Sequence, residues 1–320
     1  MIFLTPEVSV IYILNTLFAL FSTIAFVISL KIVRGYDREA TTSKQYTLEK
    51  QSYLSATIIK YIFYIKIPLM IFFIFTLDKI SFILPGAMCG AGVVNASIYA
   101  IPLLFLKLLN LYLFAYWLVM QKEDMRKEEQ PYVMTKFQLF LILYTLFIVE
   151  IILETLFFGS IDIKSVVDCC GAIFSHSDDT YLSLLLHMDR VWLLSIFYAV
   201  YGVMFLSYFL KQRYIFALIN LLFLMIALIA LIAFFGTYIY ELPTHHCPFC
   251  LLQKDYHYIG YLLYLLLFLG TFNGLVVAMI GFDKDDIIKR ERYALFFNSL
   301  YTFVVTLYPL LYFYKNGVWL

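Results

Sequence analysis

The stretch IFALINLLFLMIALIALIAFFGTYIY, residues 215–240, contains no charged side chain over 26 residues. A helix rises 1.5 Å per residue, so this run is long enough to cross a hydrocarbon core about 30 Å thick. The whole chain is 63% hydrophobic and 14% charged, with a mean hydropathy of +0.87. Eight such apolar runs are present, at approximately 8–30, 53–77, 99–120, 137–158, 190–210, 215–240, 257–281 and 293–314. The sequence therefore predicts an all-α integral membrane protein with about eight transmembrane helices, because barrel strands would alternate polar and apolar residues.

Basic residues are distributed unequally between the two sets of connections. The connections at 31–52, 121–136, 211–214 and 283–292 carry fifteen Lys and Arg, whereas the opposite set carries five. By the positive-inside rule, both termini and every cysteine and histidine should be extracytoplasmic in a multi-pass protein of the cell inner membrane. The formal net charge of +1 argues neither for nor against nucleic acid. The basic residues form no patch beyond what topology explains, so nucleic acid is not an expected partner. Membrane lipid is expected to be one, because the predicted spans are apolar.

The cysteines and histidines are densest in the sequence His245-His246-Cys247-Pro248-Phe249-Cys250. Its Cys-x-x-Cys spacing favours thiol–disulfide exchange, and it precedes an apolar run, so we expect the pair at a helix N-terminus, which stabilises thiolate. His246 would add to that stabilisation if protonated. The alternative interpretations are a structural disulfide and half of a zinc site, although zinc would require a second Cys/His pair at regular spacing. Disulfides persist in an extracytoplasmic compartment, and with five cysteines, an odd number, at least one thiol is free, partnered with another chain or engaged transiently.

The segment Cys247-Pro248-Phe249-Cys250-Leu251-Leu252-Gln253-Lys254 resembles the Cys-Pro-x-Cys-x-x-Gln-Arg signature of DsbB, which passes electrons from thiols to quinone. The order of elements over residues 137–281 is similar to the related vitamin K epoxide reductase (VKOR) family. That family has an external cysteine loop, two helices, and a Cys-x-x-Cys that opens the last helix of a four-helix bundle. Here Cys169 and Cys170 would lie in that loop. The resemblance covers less than half of the chain.

The resemblance implies a quinone-dependent, disulfide-forming enzyme. In such an enzyme Cys250 would meet the quinone, and Cys247 would exchange with a loop cysteine that oxidises an extracytoplasmic thioredoxin-like thiol protein. The predicted quinone-binding residues are Gln253, Lys254 and His246. Lys254 replaces the signature's Arg and lacks its bidentate fork.

The adjacent pair Cys169 and Cys170 departs from the family pattern, in which several residues separate the two loop cysteines. A vicinal disulfide is a small, strained ring, so these two are poor partners for each other. One of them is expected instead either to pair with Cys89 or to exchange with Cys247. The predicted redox residues are thus Cys247, Cys250, Cys169, Cys170 and Cys89.

Two other functions remain open on the sequence alone. The first is a copper or zinc carrier that uses an external His/Cys cluster; its ligand set would be His245, His246, Cys247, Cys250 and His257. The second is a catalytically silent subunit whose cysteines only join loops.

The predicted organisation has three parts: an N-terminal three-helix region at 1–135 with an external Cys89 loop, a VKOR/DsbB-like bundle at 136–282, and a final helix and tail at 283–320. Charged residues inside the apolar runs should pair or be functional, because lipid makes isolated charges costly. Pairing of Lys66 or Lys107 with Glu150 is therefore expected, and it could join the two halves of the chain.

Overall fold

The computed structural model describes residues 2–37, 40–167, 189–279 and 281–320, and within those ranges it contains helices joined by turns and loops and no strand. Eight helices in them are long and apolar enough to cross a membrane, which confirms the all-α membrane fold. They are α1 Pro6–Gly35, α2 Ser43–Ser81, α4 Ala100–Arg126, α5 Val133–Ser160, α6 Arg190–Phe209, α7 Arg213–Tyr240, α8 Ile259–Met279 and α9 Lys284–Asn316, with a short helix α3 at Gly90–Asn95. Their outward side chains are largely apolar, as with Leu20, Phe21 and Ile24, each more than half exposed, so the chain presents a surface suited to lipid.

The helices divide into two compact units. The first unit contains α1, α2, α4 and α5, and the second contains α6 to α9 together with the segment Gly86–Asn95. This grouping differs from the predicted parts, because α5 packs against α4 and α1, and α9 packs against α8. Hydropathy locates a span but does not state which neighbour it packs against, since every span is apolar around most of its circumference.

The first unit has an aromatic core near one end. Phe63 stacks on Phe114 with ring centroids 4.2 Å apart, and Trp117 meets Phe63 edge-on at 5.5 Å. The indole Nε1 of Trp117 donates to the carbonyl of Lys136 at 2.9 Å, which satisfies its one polar atom. This core joins α2, α4 and the start of α5.

A buried ionic network lies farther along the same unit. Lys66 Nζ and Lys107 Nζ each lie 2.9 Å from Oε1 of Glu150, and Lys107 Nζ also lies 3.2 Å from Glu154 Oε1. Asn110 donates to Glu150 Oε2 at 2.6 Å. Two ammonium groups and two carboxylates thus balance one another. The expected pairing with Glu150 is confirmed, but it lies within the first unit rather than joining two halves.

The second unit has its own aromatic core between α6, α7 and α9. Phe197 packs against Phe223 and Phe235 at centroid distances of 5.7 and 5.2 Å. Tyr301 is fully buried, and its hydroxyl donates to the Ala227 carbonyl at 3.1 Å. This core supports the helices from which the thiol-bearing loop departs.

Candidate thiol site

Three cysteines from distant parts of the sequence meet in the second unit. The Sγ atoms of Cys89, Cys247 and Cys250 all lie within 4.8 Å of one another. The sulfur atoms of Cys89 and Cys247 lie 3.6 Å apart. The three residues are 0%, 1% and 6% exposed, and none of them forms a disulfide in the structure. The arrangement is suited to exchange between thiols or to binding a soft cation.

The segment carrying Cys89 is held by two backbone features. Gly86 has φ +86°, and a Cβ atom there would lie 2.4 Å from the carbonyl oxygen of Val167, so the close approach requires glycine. On the other side, Gln253 donates from Nε2 to the carbonyl of Met88 at 3.1 Å. Cys89 itself accepts a backbone hydrogen bond from Gly92 as α3 begins. The Cys89 thiol is therefore fixed from both sides against the Cys-x-x-Cys loop.

Two tyrosines from the flanking helices hold the Cys-x-x-Cys backbone. The Tyr240 hydroxyl, at the end of α7, donates to the carbonyl oxygen of Cys247. The Tyr264 hydroxyl, on α8, donates to the carbonyl of Pro248 at 3.0 Å. Because carbonyl groups buried without a partner are costly, these two bonds stabilise this one conformation of the loop.

The helix that follows the cysteines begins later than the sequence predicts. Cys250 opens a three-residue 3₁₀ turn, Cys250–Leu252, and α8 starts only at Ile259. Between them Gln253 is extended, and His257 and Tyr258 have φ near +55°, so the helix cannot run continuously from the cysteines. The expectation that Cys247 and Cys250 sit at the N-terminus of the apolar helix is wrong. The dipole of α8 therefore does not begin at either thiol.

The close packing of the turn on α8 depends on a second glycine. A Cβ atom on Gly260 would lie 2.8 Å from Leu251 Cβ and 2.9 Å from Leu252 Cδ2. Such distances are shorter than carbon atoms tolerate, so only glycine lets the Cys250–Leu252 turn rest on the helix.

The two adjacent histidines have different surroundings. His246 is buried, and its Nδ1 atom donates to the carbonyl of Ile232 at 3.1 Å, within a π-helical segment of α7 at Leu231–Phe235. His245 is half-buried, and its ring meets Tyr240 edge-on with centroids 4.5 Å apart. Burial lowers the pKa of the His245 imidazole; the charge of Cys89 opposes that shift, and the charge of His246 adds to it.

The other residues predicted for the site are placed in varied ways. Gln253 and His246, predicted to bind quinone, direct polar atoms to the backbone carbonyls of Met88 and Ile232. Lys254 is exposed, as is His257 of the predicted metal set. Among the described residues, the structure groups Cys247 and Cys250 with Cys89 and not with His245, His246 or His257. Cys169 and Cys170 lie outside the described residues.

Sequence reasoning missed the residues that shape the loop, namely Tyr240, Tyr264 and Gly260. Each lies in or beside an apolar run that already contains other tyrosines and glycines, so no spacing or composition signal marks it. The signal that could have been used was proximity, since all three lie within about twenty residues of the Cys-x-x-Cys pair.

No family model matches this chain, and neither a curated protein nor a solved structure is significantly similar to it.

Proposed function

We propose that the chain is a membrane thiol–disulfide oxidoreductase that passes electrons from thiols of an extracytoplasmic protein to a membrane quinone. The observation that carries the proposal is the meeting of Cys89, Cys247 and Cys250 within 4.8 Å. Three thiols at this spacing allow three disulfide pairings, two of which include Cys247, and interconversion of these two needs only a small movement of a sulfur atom. The DsbB-like sequence around Cys247 and Cys250 supports the choice of quinone as acceptor.

The reaction within the site is a thiol–disulfide exchange. In the oxidised protein Cys247 and Cys250 are joined, and the thiolate of Cys89 attacks the sulfur of Cys247. The Cys89–Cys247 bond forms as the Cys247–Cys250 bond breaks, and Cys250 leaves as a thiolate that takes up a proton. The number of electrons in the site is unchanged by this step.

Electrons enter and leave the site at its two ends. An external dithiol reduces the Cys89–Cys247 disulfide, losing two electrons and two protons as its own disulfide forms. Cys247 and Cys250 then lose two electrons and two protons to quinone, which regenerates the starting disulfide. The net change is the oxidation of one dithiol and the reduction of one quinone to quinol.

Because the three thiols are buried, electrons from the protein partner must reach them through another group. Cys89 is fully buried, so a folded thioredoxin-like protein cannot reach its sulfur directly. We assign this relay to Cys169 and Cys170, which the positive-inside rule predicts to lie on the same, extracytoplasmic side.

The test uses the full chain in lipid nanodiscs, with dithiothreitol as the dithiol and a short-chain ubiquinone as the acceptor. Loss of ubiquinone absorbance reports turnover, and oxidation of dithiothreitol without quinone gives the background. Cys247→Ser and Cys250→Ser should each abolish the quinone-dependent rate. Gly202→Ala is the matched control, because a Cβ atom there meets nothing within 4 Å. Activity unchanged in both serine variants would exclude the proposed mechanism.

A further inference from the structure

The sulfur atoms of Cys89 and Cys247 already have the spacing of two zinc ligands. With a Zn–S distance of about 2.3 Å, two sulfurs of a tetrahedral zinc site lie ~3.8 Å apart. Cys89 Sγ and Cys247 Sγ are 3.6 Å apart, and Cys250 Sγ lies within 4.8 Å of both. The three thiols come from two segments that are each fixed by hydrogen bonds, through Gln253 to Met88 and through Tyr240 to Cys247. Little rearrangement is needed for all three sulfurs to face one cation.

A further donor comes from the same loop; it lies outside the group of atoms within 4.8 Å of one another and would have to turn toward the sulfurs. The Nε2 atom of His245 is buried and has no hydrogen-bond partner in the described part of the chain. Edge-on packing against Tyr240 fixes the position of the ring, two residues before Cys247. A buried ring nitrogen without a partner is costly unless it receives a ligand or a proton donor. His246 differs in one respect, since its Nδ1 donates to the carbonyl of Ile232 and its ring therefore has a partner.

We propose that the reduced site binds one Zn²⁺ through the thiolates of Cys89, Cys247 and Cys250 and the imidazole of His245. Three cysteines and one histidine are a common ligand set of tetrahedral zinc. Binding releases the three thiol protons to solvent and transfers no electrons. This site differs from a histidine-rich one because it requires Cys89 and dispenses with His246 and His257.

Zinc binding does not depend on the quinone reaction proposed above, because it needs only the three thiols in reduced form. A cation held by all three sulfurs would block disulfide formation, so zinc would act as an inhibitor of thiol exchange. Zinc affinity is measured without quinone, so failure of one proposal leaves the other open.

The experiment uses the full chain in nanodiscs, reduced with a phosphine, stripped of metal and titrated with Zn²⁺ alone against a chromophoric competitor. Co²⁺ is titrated in parallel, since thiolate-to-cobalt absorption reports sulfur ligation directly. We expect one equivalent of tight binding. Cys89→Ser, Cys247→Ser and Cys250→Ser should each remove it together with most of the cobalt–thiolate absorption. His245→Ala should weaken zinc binding about tenfold or more.

His257→Asn is the matched control, because asparagine tolerates the left-handed backbone at this position and the side chain is exposed. Its zinc affinity should equal that of the unaltered chain. Circular dichroism and gel filtration of every variant show whether loss of binding reflects loss of fold. Zinc bound with unchanged affinity by Cys89→Ser, or lost in His257→Asn with the fold intact, would overturn the proposal.

Discussion

The sulfur atoms of Cys89 and Cys247 lie 3.6 Å apart although 158 residues separate them in the chain. A disulfide has a sulfur–sulfur distance of about 2.05 Å, so the two thiols are in contact without being bonded. Cys250 lies within 4.8 Å of both sulfurs, which makes Cys247 a thiol with two available partners. Cys247 can bond to only one of them at a time. A disulfide can therefore pass from one pair to the other through Cys247, as a relay of electrons requires.

The first prediction concerns which disulfide forms when one partner is removed. In Cys250→Ser, mild oxidation should join Cys89 to Cys247, because these sulfurs are already in contact and no competing thiol remains beside them. In Cys89→Ser, the same treatment should join Cys247 to Cys250. Peptide mapping by mass spectrometry under non-reducing conditions distinguishes the two products.

The double variant Cys89→Ser with Cys250→Ser is the control for this oxidation experiment, since its Cys247 should stay reduced or pair outside the cluster. Recovery of Cys89 bonded elsewhere in Cys250→Ser, with Cys247 still reduced, would contradict the two-partner arrangement.

Much of the fold could be predicted from hydropathy and charge. The predicted run at 215–240 corresponds to α7 at Arg213–Tyr240, and the run at 190–210 corresponds to α6 at Arg190–Phe209. The pairing of Lys66 and Lys107 with Glu150 was also predictable, because a charge in lipid needs a partner and few candidates exist.

The late start of α8 and the grouping of α5 could not be predicted in the same way. Apolar composition begins near residue 257, but the left-handed backbone at His257 and Tyr258 delays the helix to Ile259. Helix partners in lipid are chosen by side-chain shape and a few polar contacts, which a hydropathy profile does not contain. The proximity of Cys89 to Cys247 is a tertiary contact of the same kind, and only the sidedness of the two loops suggested it.

The second prediction concerns the tyrosines that hold the loop. Tyr240→Phe and Tyr264→Phe each remove one hydrogen bond to a loop carbonyl, at Cys247 and Pro248. Each should lower stability by about 1 kcal/mol and increase the rate at which a maleimide labels Cys247, because the loop opens more often. Tyr301→Phe is the comparison, since its hydroxyl bonds to Ala227 in the core. A similar loss of stability without faster labelling is expected there, and equal labelling in all three variants would refute a specific role for the loop tyrosines.

The third prediction concerns the ionic network of the first unit. Glu150→Gln removes the carboxylate that faces both Lys66 and Lys107 and leaves two ammonium groups with one buried carboxylate. Breaking one partner of a buried pair costs about 3–5 kcal/mol, so the variant should unfold at markedly lower denaturant concentration in detergent micelles. The double variant Glu150→Gln with Lys66→Met restores the balance of charge between Lys107 and Glu154 and should recover part of the loss.

The exposed pair of Lys315 and Glu241 provides the control for charge removal. Their side chains are 65% and 54% exposed, so Lys315→Gln should change stability by no more than about 0.5 kcal/mol.

If the double variant Glu150→Gln with Lys66→Met is less stable than Glu150→Gln alone, Lys66 is needed for something other than charge balance.

The last prediction concerns the packing of α8 against its neighbours in the second unit. A Cβ atom on Gly270 would lie 2.0 Å from Oδ1 of Asn298, and the Nδ2 atom of Asn298 donates to Asn220 at 2.9 Å. Gly270→Ala therefore forces Asn298 out of place and disturbs a hydrogen bond between two helices, and we expect a loss of about 1–3 kcal/mol in a denaturant titration. Gly202→Ala makes the same chemical change in α6, where nothing lies within 4 Å, and should be neutral or stabilising by up to about 1 kcal/mol. Equal stability of the two variants would mean that α8 can shift away from Asn298 without cost, which the tight fit at this glycine argues against.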